Sequence, residues 1–192
     1  MSRVAVLGVP RGGTTLTVGL LRILGYRLPD VEPCCLHGES RRLRATDSPL
    51  ASDLPRLAAE VDALPDGVVW KDPSVGRYAH LIDWSGWLTV RVRRPLDAVL
   101  ASEERWIPGR DQEALAEQAT AWDCALDLIP AQIHLSAEMI RAHPIQQLQR
   151  LAGVTRLMTM QISRAEDFIR PAGGYHCPLP VTCILPETAH ML

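Results

Sequence analysis

Residues 4–15 read Val-Ala-Val-Leu-Gly-Val-Pro-Arg-Gly-Gly-Thr-Thr, a short apolar run that leads straight into a glycine-rich turn. Leu16 through Leu24 continue at helical spacing. A strand, a glycine turn and a helix in that order make a cradle for a phosphate group. Gly12 and Gly13 allow the tight turn, and the N–H groups that open the helix converge where its dipole favours negative charge. Gly8 and Gly13 keep the spacing of the nucleotide-triphosphate loop G-x-x-x-x-G-K-[ST], with Thr15 in its last place. Thr14, however, stands where that loop has its lysine. Most triphosphate hydrolases and kinases need the lysine on the β- and γ-phosphates, so this loop is expected to hold a different phosphate ester.

Charge is supplied elsewhere, at the ends of two further apolar runs. Val68-Val69-Trp70 leads into Lys71-Asp72-Pro73, and Leu88 to Val92 leads into Arg93-Arg94-Pro95, with Ser102 about two helical turns on. The polar stretch after the first helix carries His37-Gly38-Glu39-Ser40.

The elements that must position these residues alternate between strand and helix. The pattern predicts strands over 4–9, 68–70, 88–92 and 133–135. Helices are expected over 14–24 (stopped by Gly25), over 54–64 before the Pro65-Asp66-Gly67 turn, after 92 with Pro95 in the first turn, over 111–128, and over 144–152 closed by Gly153. Residues 26–49 read mostly as loop, with 39–44 helical, and an irregular tail begins at about 170. Apolar strands separated by helices predict a parallel α/β sheet flanked on both faces, a three-layer α/β/α arrangement. Ligands in such sheets sit at the carboxyl ends of the strands. The loops at Pro10, Lys71 and Arg93 all lie at such ends.

The 192 residues are expected to form a single domain, 1–192. With 47% hydrophobic residues and a formal charge of −2, nothing in the composition calls for nucleic acid or a membrane as partner. Five cysteines in irregular spacing make neither a disulfide framework nor, without a C-x-x-C pair, a zinc site; a reducing cytoplasm is the expected compartment. Trp70, Trp84, Trp87, Trp106 and Trp122 are numerous beside a single Phe, and most are expected in the core.

Four segments together resemble the P-loop sulfotransferases, which transfer a sulfuryl group from 3′-phosphoadenosine 5′-phosphosulfate (PAPS). Pro10-Arg11-Gly12-Gly13-Thr14-Thr15-Leu16 is similar to the family's 5′-phosphosulfate loop, where a Lys or Arg precedes the core. Arg91 to Ser102 resembles the 3′-phosphate segment, in which an arginine ends a strand and a serine follows on a helix. Trp70-Lys71-Asp72-Pro73 looks like the family's Lys-x-Pro element, and 135–154 resembles its strand–"YEDL"–Pro–helix–"LGV" stretch through Glu138 and Pro144. Aligning Pro95 makes Arg93 the phosphate arginine and puts Ala101 in the serine's place, whereas counting from Arg94 reaches Ser102 and shifts the proline.

The resemblance implies a P-loop parallel sheet and a sulfotransferase that uses PAPS as co-substrate and requires no metal. The implied acceptor is a hydroxyl-bearing small molecule or carbohydrate. Arg11, Gly12, Gly13, Thr14, Thr15 and Leu16 would hold the 5′-phosphosulfate; Arg93 or Arg94, with Ser102, the 3′-phosphate. Arg11 and Lys71 would meet the charge of the transferring group, and Glu39, ahead of His37, would be the base. A non-catalytic binder of the product 3′-phosphoadenosine 5′-phosphate (PAP), or a small kinase with a degenerate triphosphate loop, are the competing readings.

Overall fold

Four parallel strands, β1 (Arg3–Leu7), β2 (Val69–Trp70), β3 (Trp87–Arg93) and β4 (Ile133–Ser136), lie in the order β2-β1-β3-β4. They come from a computed structural model of the chain, which describes residues 2–29, 54–72 and 74–155. In register, Val4 pairs with Val69 on one side of β1 and with Leu88 on the other; Leu7 pairs with Arg91, and Arg93 with Ser136. Leaving β1, the chain forms α1 (Thr14–Ile23) and α2 (Leu54–Asp62) on its way to β2. It then crosses to the opposite side of β1 as β3, continues through α3 (Leu96–Trp106) and α4 (Gln112–Asp127) to β4, and finishes with α5 (Ala137–Ala142) and α6 (Pro144–Thr155). The carboxyl ends of β1 and β3 therefore flank the point where the sheet's winding reverses, the place where such sheets open a crevice.

Why the sheet takes helices on both faces is written in β1. Val4 and Val6 belong to one core with Val90 and Val92, under Leu16, Leu20 and Leu21 of α1 and Leu148 and Leu151 of α6. Their neighbours Ala5 and Leu7 belong to a second core with Trp70, Leu57 and Val61 of α2, and Leu126 of α4. A strand apolar at every position is buried on both sides, and Val4 to Leu7 are fully buried. Burying each Leu or Val contributes roughly 1.5–3 kcal/mol, which fixes α1 against the sheet and with it the glycine turn. The expected three-layer parallel α/β fold is the one found.

Three local readings are corrected. β1 ends at Leu7 rather than running to Val9, because the Val9 carbonyl closes a turn instead of a ladder. The helix expected to close at Gly153 runs through it to Thr155: this glycine is not among those with positive φ, and glycine lowers helix propensity by only about 1 kcal/mol. A short helix at 137–142, which periodicity did not suggest, starts where Ser136 Oγ accepts the Met139 N–H at 3.3 Å. Between β2 and β3 the chain also makes three short 3₁₀ turns, Val75–Arg77, Ala79–Leu81 and Trp84–Gly86. The 39–44 helix and the tail from 170 lie outside the described residues.

Candidate functional site

The glycine turn is built by one hydrogen bond and two close approaches. Gly12 N–H donates to the Val9 carbonyl at 3.0 Å, placing Pro10 and Arg11 at the centre of the turn. Arg11 has φ 59°, the positive φ that glycine or asparagine normally supplies there, and no other non-glycine among the described residues has one. For an L side chain this conformation costs about 1–2 kcal/mol. Strain of that kind persists where the surroundings hold it, often at functional sites. Gly13, at φ 96°, caps α1, and a β-carbon on it would lie 2.6 Å from the Ala137 Cβ of α5. Among the described residues no side chain caps the start of α1. Thr14, in the place of the triphosphate lysine, is buried, and its methyl lies where a Gly8 β-carbon would come within 2.7 Å. Leu16 points into the core, so it can face an anion only through the backbone.

Lys71 supplies charge from the end of β2. It is 3% exposed, and its Nζ donates to Thr15 Oγ1 at 3.1 Å. The next residue holds the loop: Asp72 accepts the Ser74 N–H at 2.8 Å and the hydroxyls of Ser74 and Tyr78. Asp72 is buried, so these bonds also settle its charge.

The arginines at the end of β3 take different partners. Arg91, on the interior strand β3, is 1% exposed and bonded to Asp123 and Asp127 of α4 and to the Leu7 carbonyl at 3.4 Å. Arg93, half exposed, also turns to Asp127, and this hydrogen bond raises its pKa. Partial burial pushes Asp127 up; the hydrogen bond from Arg93 and the Arg91 and Arg93 charges outweigh that and leave its carboxyl below the usual range. Arg94 turns the other way. Its Nη1 donates to the Arg11 carbonyl at 3.2 Å and its Nε to Glu138 Oε1 at 2.9 Å, with the side chain 10% exposed. Arg94 thus touches the glycine turn, while Arg93 is tied to α4.

Arg11 meets a face of α3. Its Nε donates to Ser102 Oγ at 3.2 Å, Glu103 Oε2 lies 4.0 Å from the same nitrogen, and its guanidinium sits 5.0 Å from the centre of the Trp106 ring. Ser102 is nearly buried, whereas Trp106 is 55% exposed. Trp106 covers an arginine at the surface, while Trp70 and Trp87 sit in the core. Beside Arg11 a shallow crevice opens between α3 and α4, lined by Pro10, Val99, Leu115 and Trp122.

The structure therefore gathers Arg11, Gly12, Gly13, Thr15, Lys71, Arg94 and Ser102 at the strands' carboxyl ends, and sets Arg93 aside on α4. Glu39 and His37 lie outside the described residues. Sequence reading passed over Glu103 and Arg91. Glu103 had a signal, since it shares the 99/102/103/106 face of α3 that should be apolar throughout; Arg91 had none, because it looks like the polar end of a strand.

These features define a parallel α/β domain with cationic side chains gathered on a glycine turn at its switch point. No protein-family model matches the chain, and no curated protein does. Solved structures do match. The sulfotransferase domain of the Synechococcus PCC 7002 olefin synthase superposes with a TM-score of 0.57 at 18% identity, covering 85% of this chain and 76% of that one. The sulfotransferase domain from the curacin biosynthetic pathway gives 0.53 at 16% identity, covering 91% and 81%. At such identity the likeness is one of fold, and the fold is that of sulfotransferase domains. Among the described residues no helix is long and apolar enough to cross a membrane.

Proposed function

We propose that this protein is a sulfotransferase that moves the sulfuryl group of PAPS to a hydroxyl acceptor. The observation that carries the reading is the convergence on one glycine turn of Lys71 from β2, Arg94 from β3 and the Arg11–Ser102 pair. A donor with a 5′-phosphosulfate and a separate 3′-phosphate needs two anion sites a nucleoside apart. The start of α1 suits the first, through backbone N–H groups and the helix dipole. Arg94 with Ser102 suits the second, by charge-assisted hydrogen bonds. Thr14 packs inward, which disfavours a triphosphate in the same loop.

In the reaction the acceptor oxygen attacks sulfur as the bond from sulfur to the 5′-phosphate oxygen breaks. The acceptor's proton passes to Glu39, or to His37 should that be the base, and PAP departs. Charge grows on the leaving oxygen, where Lys71 and Arg11 act; removing one such donor commonly lowers turnover about 10²–10³-fold. The remaining work is positioning, as in phosphoryl transfer. The acceptor is a small molecule or a carbohydrate, and both named structural neighbours come from biosynthetic systems.

Thermal unfolding with PAP, ATP and GTP, each with and without Mg²⁺, tests the donor, because a ligand of the native state raises the midpoint. PAP should stabilise without metal. Stabilisation by Mg²⁺–ATP alone would support a kinase instead. Sulfuryl transfer to a panel of alcohols and sugars then separates an enzyme from a module that only binds PAP.

A further inference from the structure

Glu103 is a carboxylate 8% exposed on a helix face whose spacing calls for apolar residues. It lies between two arginines: Arg110 Nη1 reaches Oε1 at 2.7 Å, and Arg11 Nε lies 4.0 Å from Oε2. Ser102 precedes it in sequence, and Trp106 is one helical turn on. All three meet the same guanidinium. The positions 99, 102, 103 and 106 that would form an ordinary core stripe are thus spent, apart from Val99, on surrounding Arg11.

We infer that Glu103 is the positioning residue for Arg11 in the sulfuryl transfer proposed above, an inference that rests on that reading. Three features support it. Arg11 has a backbone conformation that its side chain disfavours, so something must hold it; Arg94 holds the carbonyl and the α3 face holds the guanidinium. The hold runs through Nε and the ring face, and among the described residues the terminal nitrogens of Arg11 make no hydrogen bond. A guanidinium fixed on its Nε edge presents the two terminal nitrogens as a fork, which matches two oxygens of a sulfonate or phosphate. Finally, Arg110, from the loop between α3 and α4, takes the other carboxylate oxygen and keeps Glu103 from turning to solvent. Glu103 touches no reacting atom; it acts through Arg11.

A double-mutant cycle on the full chain tests this. PAP affinity is measured by calorimetry, and sulfuryl transfer from PAPS is followed to an acceptor alcohol or, without one, to water. PAP keeps the 5′-phosphate but lacks the sulfonate, so its affinity reads ground-state phosphate contacts, whereas the rate reads the charge that Arg11 meets only as the sulfur–oxygen bond breaks. Glu103→Ala should lower the transfer rate about tenfold, the size of a coupling between contacting residues, while PAP affinity changes less than about twofold. In an Arg11→Ala background the same change should alter the rate less than about twofold. Glu103→Gln, whose amide oxygen still accepts from an arginine, should recover part of the loss, and it replaces the alanine variant if that fails to fold. A full tenfold loss without Arg11, or PAP affinity and rate falling together, overturns the assignment. Wild-type rate in folded Glu103→Ala, with PAP bound, overturns it while the donor reading stands. A wild-type protein that ignores PAP overturns both.

Discussion

Gly13 is where the fold and the proposed site make the same demand, and its replacement separates two physical costs. Gly13→Ala puts a β-carbon on a residue at φ 96° and 2.6 Å from the Ala137 Cβ. The left-handed backbone contributes about 1–2 kcal/mol of destabilisation, and forcing an extra carbon into a packed contact adds roughly 1–3 kcal/mol. Gly25 provides the comparison: its φ is 100°, but nothing lies within 4 Å of its added β-carbon. Gly25→Ala should therefore show the backbone cost alone. For a chain of this size each kcal/mol moves the midpoint about 2–4 °C, so Gly13→Ala should melt roughly 5–15 °C below wild type and Gly25→Ala roughly 2–8 °C below. Adding Ala137→Gly to Gly13→Ala should return the steric part, less about 1 kcal/mol for a glycine in α5. Thermal unfolding of the four proteins reads all of this, and PAP affinity should fall for Gly13→Ala but not for Gly25→Ala. Equal midpoints for the two alanine variants would refute the argument that Ala137 closes on the turn.

The strand–turn–helix and the alternation that follows were legible because the signals are local. An apolar run at 4–7 buried on both faces predicts a central parallel strand, and Gly12-Gly13 predicts the turn. The ends of elements were less legible. Whether Val9 continues a ladder or closes a turn depends on Gly12, three residues on, and whether Gly153 stops a helix depends on its φ. The site was legible as residue types at strand ends, but the direction of each side chain was not. Arg93 and Arg94 are neighbours in sequence, yet consecutive residues face opposite ways. One meets Asp127 on α4, the other the Arg11 carbonyl, and only the tertiary placement of α4 and α5 makes that distinction. Trp106 illustrates the same limit: tryptophan is usually a core residue, and here it lies at the surface over the Arg11 guanidinium.

Three further expectations follow from particular contacts. Lys71→Met, which keeps the bulk of a buried side chain bonded to Thr15, should lower sulfuryl transfer about 10²–10³-fold with the melting midpoint little changed; near wild-type turnover would remove Lys71 from the mechanism. Arg94→Ala should weaken PAP binding by about 1.5–3 kcal/mol, the scale of a charged hydrogen bond, whereas Arg93→Ala, which breaks an exposed pair, should change it by less than about 1 kcal/mol. Adenosine 5′-phosphosulfate, without the 3′-phosphate, should respond weakly to both, and the reverse order in calorimetry would give the 3′-phosphate to Arg93. The last expectation concerns pH. Burial raises the Asp127 carboxyl, but the Arg93 hydrogen bond and the two arginine charges prevail, so its folded pKa lies below its unfolded one. A group lowered in this way stabilises the fold fully above its unfolded pKa, about 3.9, and loses that stabilisation as pH falls through the folded value. Asp127→Asn should therefore lower the midpoint near neutral pH and flatten its fall in acid, so that mutant and wild type converge once the pH lies below the folded pKa of Asp127. A constant offset across that range would show that Asp127 acts through packing and not through its charge on Arg91 and Arg93.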